Sequence, residues 1–175
     1  GGLHNDYLGT PEFSHCSFMR NIATTAGGGV SNFGNQARFT ECNYEENTCI
    51  GNGGGFSGSP NSSAQLISCT FTGNTSGEKG GGVYANQELV LQNCLLSGNR
   101  ASAGGGIYYN ISQGLNARLN HCTFGGNFAE DRGGAIAVDI AAGISNFSAI
   151  LENSIVWGNS ANGPGRQIWN SGNGV

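Results

Sequence analysis

Apolar and polar residues alternate over short stretches, and the alternation recurs in fixed register along the chain. Each copy has a small residue or cysteine in one slot, an apolar residue two positions later and an asparagine five positions later. The slots hold Cys16, Cys42, Cys69, Cys94, Cys122 and Ser154. The asparagines are Asn21, Asn47, Asn74, Asn99, Asn127 and Asn159, each followed after eight or nine residues by an apolar position. Such a register is typical of a repeat protein in which each copy forms one structural unit.

The alternation within a copy predicts short β-strands separated by bends. A helix is disfavoured because glycine and asparagine at this density lower helix propensity by roughly 0.5–1 kcal/mol per residue. We therefore expect an all-β fold, a single-stranded parallel β-helix (β-solenoid) of about six coils of 24–32 residues, with three short strands per coil. Residues 1–175 are predicted to form one continuous segment of it. Both termini fall inside a copy, so we expect a piece of a longer chain.

In a parallel β-helix, equivalent residues of successive coils stack at roughly 4.8 Å. Two apolar columns are predicted to fill the core. One column comprises Phe13, Phe39, Leu66, Leu91, Leu119 and Leu151, and the other comprises Phe18, Tyr44, Phe71, Leu96, Phe124 and Val156. The asparagine column is predicted to sit at a turn, because asparagine tolerates left-handed backbone angles and its amide can bond to the asparagine above and below. Glycine runs before the apolar position are expected to permit a tight turn.

Several motifs resemble those of a known protein family. Phe71-Thr-Gly-Asn74 and Phe124-Gly-Gly-Asn127 look like the Phe-x-x-Asn element of bacterial polymorphic outer-membrane proteins, and Gly133-Gly-Ala-Ile136 looks like their Gly-Gly-Ala-Ile element. The string from Asn93 to Asn99 is similar to secreted bacterial right-handed β-helix repeat proteins. This resemblance implies a right-handed β-helix of the kind found in autotransporter passengers. It specifies fold more than function, because related coils serve adhesins, polysaccharide lyases and phage tailspikes.

The cysteines of the slot column have three interpretations: disulfides, metal ligands or core residues. Parallel side-chain vectors in stacked coils are poorly oriented for disulfide bridges, and zinc would need a close cysteine pair or a nearby histidine. We therefore expect buried thiols that act as small apolar fillers. Cys49 stands outside the column, and a bridge from Cys42 to Cys49 remains an alternative at this stage.

No catalytic, metal-binding or cofactor-binding set emerges from the sequence. His15 and His121 precede slot cysteines, but neighbouring residues of a strand face opposite sides, so we expect both histidines to face solvent. A polysaccharide lyase or hydrolase needs clustered carboxylates, whereas Asp6, Asp131 and Asp139 occupy non-equivalent positions. Glu46 aligns with Arg20 one coil earlier, which predicts a surface ion pair.

Aromatic residues that look exposed are the best candidate contacts. Tyr84 and Tyr108 share one slot in adjacent coils, and Tyr109 follows directly. The three are predicted either to form a platform for a sugar ring or partner protein, as surface aromatics often do, or simply to stack between coils.

Charge and hydropathy exclude some functions. With a net charge of −4 and no basic stripe, the chain has no surface suited to nucleic acid. There is no run of 18 apolar residues, so this segment is not expected to insert into a membrane.

We expect a structural or adhesive protein of the extracellular space or bacterial cell surface. It would be a rigid rod that presents variable loops, chiefly 31–38, 57–63, 108–117 and 137–149, to a host or environmental glycan or protein. End-to-end self-association into a fibre is also predicted, because open coils expose unpaired backbone edges. The alternative is a carbohydrate-active β-helix, either lyase-like or hydrolase-like or a glycan-binding module.

Overall fold

The regular structure of the protein consists entirely of short parallel strands. A computed structural model describes residues 1–6, 9–34, 36–60, 62–86, 88–111, 116–144 and 148–172, and these residues form 25 strands and no helix. Each strand pairs in parallel with the equivalent strand of the coil before or after it. The chain is therefore a parallel β-solenoid, and the predicted fold class is confirmed.

The strands, numbered in chain order, assemble into four sheets that run along the solenoid axis. Sheet A contains β1 (Leu3–Asn5), β5 (Val30–Asn32), β9 (Phe56–Gly58), β13 (Val83–Ala85), β17 (Ile107–Ile111), β21 (Ile136–Ile140) and β25 (Ile168–Asn170). Sheet B contains β2 (Glu12–Ser14), β6 (Gln36–Thr40), β10 (Ser63–Ile67), β14 (Glu88–Gln92), β18 (Asn116–Asn120) and β22 (Ser148–Glu152).

The other two sheets are built from shorter strands. Sheet C contains β3 (Ser17–Met19), β7 (Asn43–Glu45), β11 (Thr70–Thr72), β15 (Leu95–Ser97), β19 (Thr123–Gly125) and β23 (Ile155–Trp157). Sheet D contains β4 (Ile22–Ala23), β8 (Thr48–Cys49), β12 (Thr75–Ser76), β16 (Arg100–Ala103), β20 (Phe128–Arg132) and β24 (Ser160–Ala161).

Each coil thus has four strand positions, one more than the three predicted. The additional strand arises because the chain bends twice within a few residues, once before the slot and once before the ladder asparagine. At each bend one residue adopts a left-handed backbone conformation, such as Ser68 (φ 52°) before Cys69 and Gly73 (φ 64°) before Asn74. The first bend is held by His, Glu, Ser or Asn, so no single residue type marks it in the sequence.

The core lies inside the four sheets and is built from the predicted columns. Register pairs Phe39 with Leu66 in sheet B and Tyr44 with Phe71 in sheet C, and all four side chains are fully buried. The rings of Tyr44 and Phe71 stack with centroids 4.3 Å apart, which adds aromatic contact to apolar burial. Only the outermost members of the columns, such as Leu151, are substantially exposed. The two core columns are therefore confirmed.

Candidate functional site

The asparagine column forms a continuous ladder of side-chain amides at the corner between sheets C and D. The Oδ1 atom of Asn99 accepts two hydrogen bonds from Asn74, one from the backbone N–H (2.9 Å) and one from the side-chain Nδ2 (3.0 Å). The Nδ2 atom of Asn99 donates to the carbonyl oxygen of Phe71 (2.9 Å) and to Oδ1 of Asn127 (2.9 Å). Each buried amide in the middle of the ladder thus makes four hydrogen bonds, as its chemistry permits.

The same arrangement joins every coil to the next. The side-chain amide bonds run from Asn21 to Asn47, from Asn47 to Asn74, from Asn74 to Asn99, from Asn99 to Asn127 and from Asn127 to Asn159. The prediction that these asparagines are needed for left-handed backbone angles is wrong, however, because no ladder asparagine has a positive φ. The left-handed residue stands one position earlier, and asparagine is required for its hydrogen bonds alone.

Gln167 occupies the end of the ladder. The Nδ2 atom of Asn159 donates to Oε1 of Gln167 (2.8 Å), which takes the place that Oδ1 of a further asparagine would have. Sequence reasoning missed this partner. The sequence does contain a hint of it. Gln167 is a polar amide at the position where earlier coils carry the last residue of a glycine run.

The glycine runs lie where successive coils approach most closely, at the turn from sheet D to sheet A. Gly104 has a φ of 65°, which accounts for the predicted tight turn. Gly105 has an ordinary φ, but a Cβ atom there would lie 2.5 Å from the carbonyl oxygens of Gly134 and Phe128 in the next coil. Glycine is therefore required here for inter-coil spacing as well as for the turn, and Arg166 stands at the equivalent position of the last coil.

The slot cysteines lie in one column, and none of the six cysteines is in a disulfide. Cys42, Cys69, Cys94 and Cys122 are buried, and Cys16 is half-buried. The Sγ atom of Cys69 donates to carbonyl oxygens of its own coil and the preceding one, at 3.4 and 3.5 Å. Burial raises the pKa of Cys42 to about 11, which keeps this thiol neutral near pH 7.

Cys49 lies apart from that column, in sheet D. It is a free, buried cysteine that pairs in register with Ala23 on one side and Ser76 on the other. The structure therefore contains no Cys42 to Cys49 bridge, and Cys49 fills an inward position that other coils fill with small residues.

The proposed tyrosine platform needs correction, because two of its three members are not exposed. Tyr109 points into the core and is 2% exposed, and Tyr108 on the outer face of sheet A is 0% exposed. Tyr108 is covered by Lys79, whose Nζ lies 4.7 Å from the ring centroid, and its ring stacks on that of Tyr84 at 5.9 Å. Only Tyr84 remains half-exposed. Exposure of Tyr108 was predicted because its side chain is on the outer face of the strand, but Lys79 from the adjoining turn covers the ring.

Tyr108 belongs to a small polar cluster that the sequence did not reveal. Its hydroxyl donates to Oδ2 of Asp139 (2.6 Å), and this hydrogen bond is the main reason why the pKa of Asp139 is lowered, although partial burial opposes the shift. Arg132 forms ion pairs with Asp131 and Asp139 and lies over the ring of Trp169. Of the three aspartates considered as a carboxylate cluster, Asp131 and Asp139 are therefore brought together, but as ion-pair partners of the Arg132 guanidinium.

The remaining candidate residues lie on the surface and apart from each other. His15 and His121 are both exposed, and His15 pairs with Glu41 at 2.9 Å. Arg20 and Glu46 form the expected ion pair, at 2.8 Å. Among the described residues, no group of three or more His, Cys, Asp or Glu side chains is arranged to hold a metal ion.

These features define a β-solenoid repeat protein whose coils are joined by stacked amides. Residues 68–86 and 121–139 match the Chlamydia polymorphic membrane protein repeat family, so the resemblance inferred from sequence is confirmed in these two segments. Each match extends from the bend before the slot through the ladder asparagine and glycine run into sheet A, and it leaves out sheet B. Neither a curated protein nor a solved structure gives a significant match.

The family and the fold together fit a surface structural protein, and the family suggests the outer membrane or cell surface as its location. In the described part of the chain, no helix is long and apolar enough to cross a membrane.

Proposed function

We propose that this chain is the rigid rod of a bacterial surface protein and that it presents its variable edge to a partner in adhesion. The observation that carries this proposal is the continuity of bonding between coils. Strands of all four sheets pair from coil to coil, and the asparagine ladder adds a fifth column of hydrogen bonds. A rod bonded in this way holds whatever it displays at a fixed distance from its point of attachment.

The variable edge lies between sheet A and sheet B. Insertions occur between the end of one sheet A strand and the start of the next sheet B strand, and loops tolerate such changes better than packed walls. The structure narrows the predicted loops, since residues 108–111 and 116–117 belong to β17 and β18 and residues 137–140 belong to β21. Positions 35, 61, 112–115 and 145–147 of the predicted loops lie outside the described residues.

Adhesion can be tested with particles that carry the protein. Beads coated with residues 1–175 are expected to bind cultured epithelial cells or a surface of mixed glycans. Beads coated with a variant in which residues 141–147 are replaced by Gly-Ser-Gly are expected to bind several-fold less. Equal binding by beads coated with albumin would overturn the proposal. Circular dichroism of the loop variant controls for loss of the fold.

The polysaccharide-degrading alternative receives less support. Asp131 and Asp139 are engaged by Arg132, and Asp139 also accepts a hydrogen bond from Tyr108. A pair of carboxylates held in this way serves to fix the surrounding side chains. The matched family consists of surface membrane protein repeats, which also favours a structural role.

End-to-end association stays a prediction, and the last coil bears on it. A Cβ atom at Gly134 would lie 2.2 Å from the carbonyl oxygen of Arg166, so glycine permits that coil to approach. Arg166 itself carries a Cβ atom at the equivalent position. A further coil stacked in the same register, including one from a second copy, would meet this side chain. Light scattering of the protein between micromolar and millimolar concentration tests whether chains associate.

A further inference from the structure

The outer face of sheet B carries a groove that runs parallel to the solenoid axis. One part, of about 240 Å³, is lined by residues from β2, β6, β10 and β14, and a second part, of about 220 Å³, is lined by residues from β14, β18 and β22. Both parts share Glu88 and Val90, so they are contiguous. Spanning six coils, the groove is about 24 Å long at the normal inter-strand spacing. We call it the sheet B groove.

Its lining mixes apolar residues such as Val90 and Ile150 with polar ones, and six of the polar side chains are long and exposed. They are Glu12, Gln36, Arg38, Gln65, Asn116 and Arg118, all exposed. None of these six side chains takes part in any hydrogen bond or ion pair that the structure places among the described residues.

Some outward polar groups on the neighbouring faces bond to each other across coils, which none of the six groove side chains does among the described residues. Thr70 donates to Asn43 (2.6 Å) on sheet C, and Arg100 pairs with Glu130 (2.8 Å) on sheet D. Cross-strand pairing of this kind is the ordinary arrangement on a sheet surface. The sheet B groove is therefore a concave surface that presents long, exposed polar side chains from five successive coils.

We propose that the sheet B groove binds a linear, uncharged polysaccharide along the solenoid axis. This inference rests on the proposed adhesive function and names its ligand class. Planar amide, carboxylate and guanidinium groups suit the hydroxyl pairs of sugars, since they offer adjacent donors or acceptors. A linear polysaccharide presents hydroxyl groups at regular intervals along its length, and the groove presents polar side chains at the coil spacing of about 4.8 Å.

The charges and backbone of the groove favour this ligand over others. Two acids, Glu12 and Glu88, are balanced by Arg38 and Arg118, so the lining has no net charge to select an anionic or cationic polymer. An extended peptide binds a sheet through free backbone groups at an edge. The interior strands of sheet B are paired on both sides and offer none.

Binding can be measured on an array of neutral oligosaccharides of four to six units, namely glucans, mannans, galactans and chitin fragments. Polyuronate, heparin and a mixed peptide library serve as further probes. The protein is expected to bind at least one neutral class. The double variant Gln65→Ala/Asn116→Ala is expected to bind it at least tenfold more weakly, because two hydrogen bonds are lost.

The matched control is Thr72→Ala/Ser97→Ala, which removes two outward polar groups from sheet C and should leave binding unchanged. All three proteins should unfold at about the same urea concentration, since the side chains of Gln65 and Asn116 are exposed and form no hydrogen bond with other described residues. The proposal is overturned if no neutral sugar binds, if only an acidic polymer or peptide binds, or if both double variants bind as the wild type does. Bead adhesion that persists in any of these cases leaves the proposed function intact.

Discussion

The asparagine ladder, at the corner between sheets C and D, and the outer face of sheet B are built by the same stacking of coils. The corner repeats one residue type in every coil, whereas the outer face of sheet B does not. At the corner, all six coils carry asparagine. In one outward column of sheet B the coils carry Glu12, Arg38, Gln65, Val90, Arg118 and Ile150. The corner is uniform because each amide needs an identical neighbour above and below. The sheet B column can vary because its side chains form no hydrogen bond or ion pair with other described residues.

On the proposed function, this difference divides residues that support the rod from residues that recognise a ligand. Both segments that match the surface-protein repeat family contain the corner, and neither contains a sheet B strand. Changes at the corner should therefore affect stability, whereas changes on sheet B should affect binding.

The largest expected effect comes from removing one amide from the middle of the ladder. Asn99→Ala removes the acceptor of the backbone N–H and of one Nδ2 proton of Asn74, and the donor to the carbonyl oxygen of Phe71, in a buried site. The Oδ1 atom of Asn127 keeps the backbone N–H of residue 99. We expect a loss of about 4 kcal/mol in the free energy of unfolding, since each unpaired buried group costs about 1–3 kcal/mol. Urea denaturation followed by circular dichroism measures it.

Asn116→Ala is the matched control, because that side chain is exposed and forms no hydrogen bond with the other described residues. Its free energy of unfolding should stay within about 0.5 kcal/mol of the wild type. A similar loss in both variants would show that the ladder is not the source of stability.

The next effect separates glycines required for spacing from other glycines. In Gly105→Ala the new Cβ atom would lie 2.5 Å from two backbone carbonyl oxygens of the next coil, so the coils must move apart. We expect a loss of about 3 kcal/mol, as for overpacking in a core. In Gly125→Ala the Cβ atom meets nothing within 4 Å, and stability should be unchanged or slightly higher. Equal losses from the two substitutions would refute the close-approach explanation.

A smaller effect of opposite sign is expected at the first bend. Ser68 holds a φ of 52°, a conformation that costs an L-residue roughly 1 kcal/mol and glycine almost nothing. Ser68→Gly should therefore raise the free energy of unfolding by up to about 1 kcal/mol. Thr72→Gly, four residues later in β11, should lower it by a similar amount, because glycine weakens a strand. Thermal unfolding of both variants gives the comparison.

The smallest effect concerns pH and the cluster around Tyr108. Hydrogen bonding from Tyr108 lowers the pKa of Asp139 in the folded protein below its unfolded value near 4. A lowered pKa contributes stability above the unfolded value, and this contribution is lost as the pH falls through the folded value. Asp139→Asn should therefore reduce the loss of stability below about pH 4. In Tyr108→Phe, an NMR titration should show a higher pKa for Asp139, and an unchanged value would contradict this explanation.

The columns of the fold were predictable from sequence because they depend on residues that recur in fixed register. Phe39, Tyr44 and Phe71 are buried as the alternation predicts, and the solenoid follows from them. The fourth strand was not predictable, since its bend needs only one left-handed residue of almost any type. The burial of Tyr108 was also missed, because it depends on Lys79 and Asp139 from neighbouring coils. The partners of outward residues depend on three-dimensional contacts that no repeat pattern encodes.

The cohesion of the coils depends most on the ladder amides being fully bonded, and side-chain hydrogen exchange measures this bonding directly. After transfer to D₂O, NMR should show the Nδ2 protons of Asn47, Asn74, Asn99 and Asn127 persisting for hours, because both protons of each amide are hydrogen-bonded in a buried site. The Nδ2 protons of the exposed Asn116 should exchange within the dead time. Exchange of all side-chain amides at the same fast rate would contradict the claim that this ladder holds the coils together.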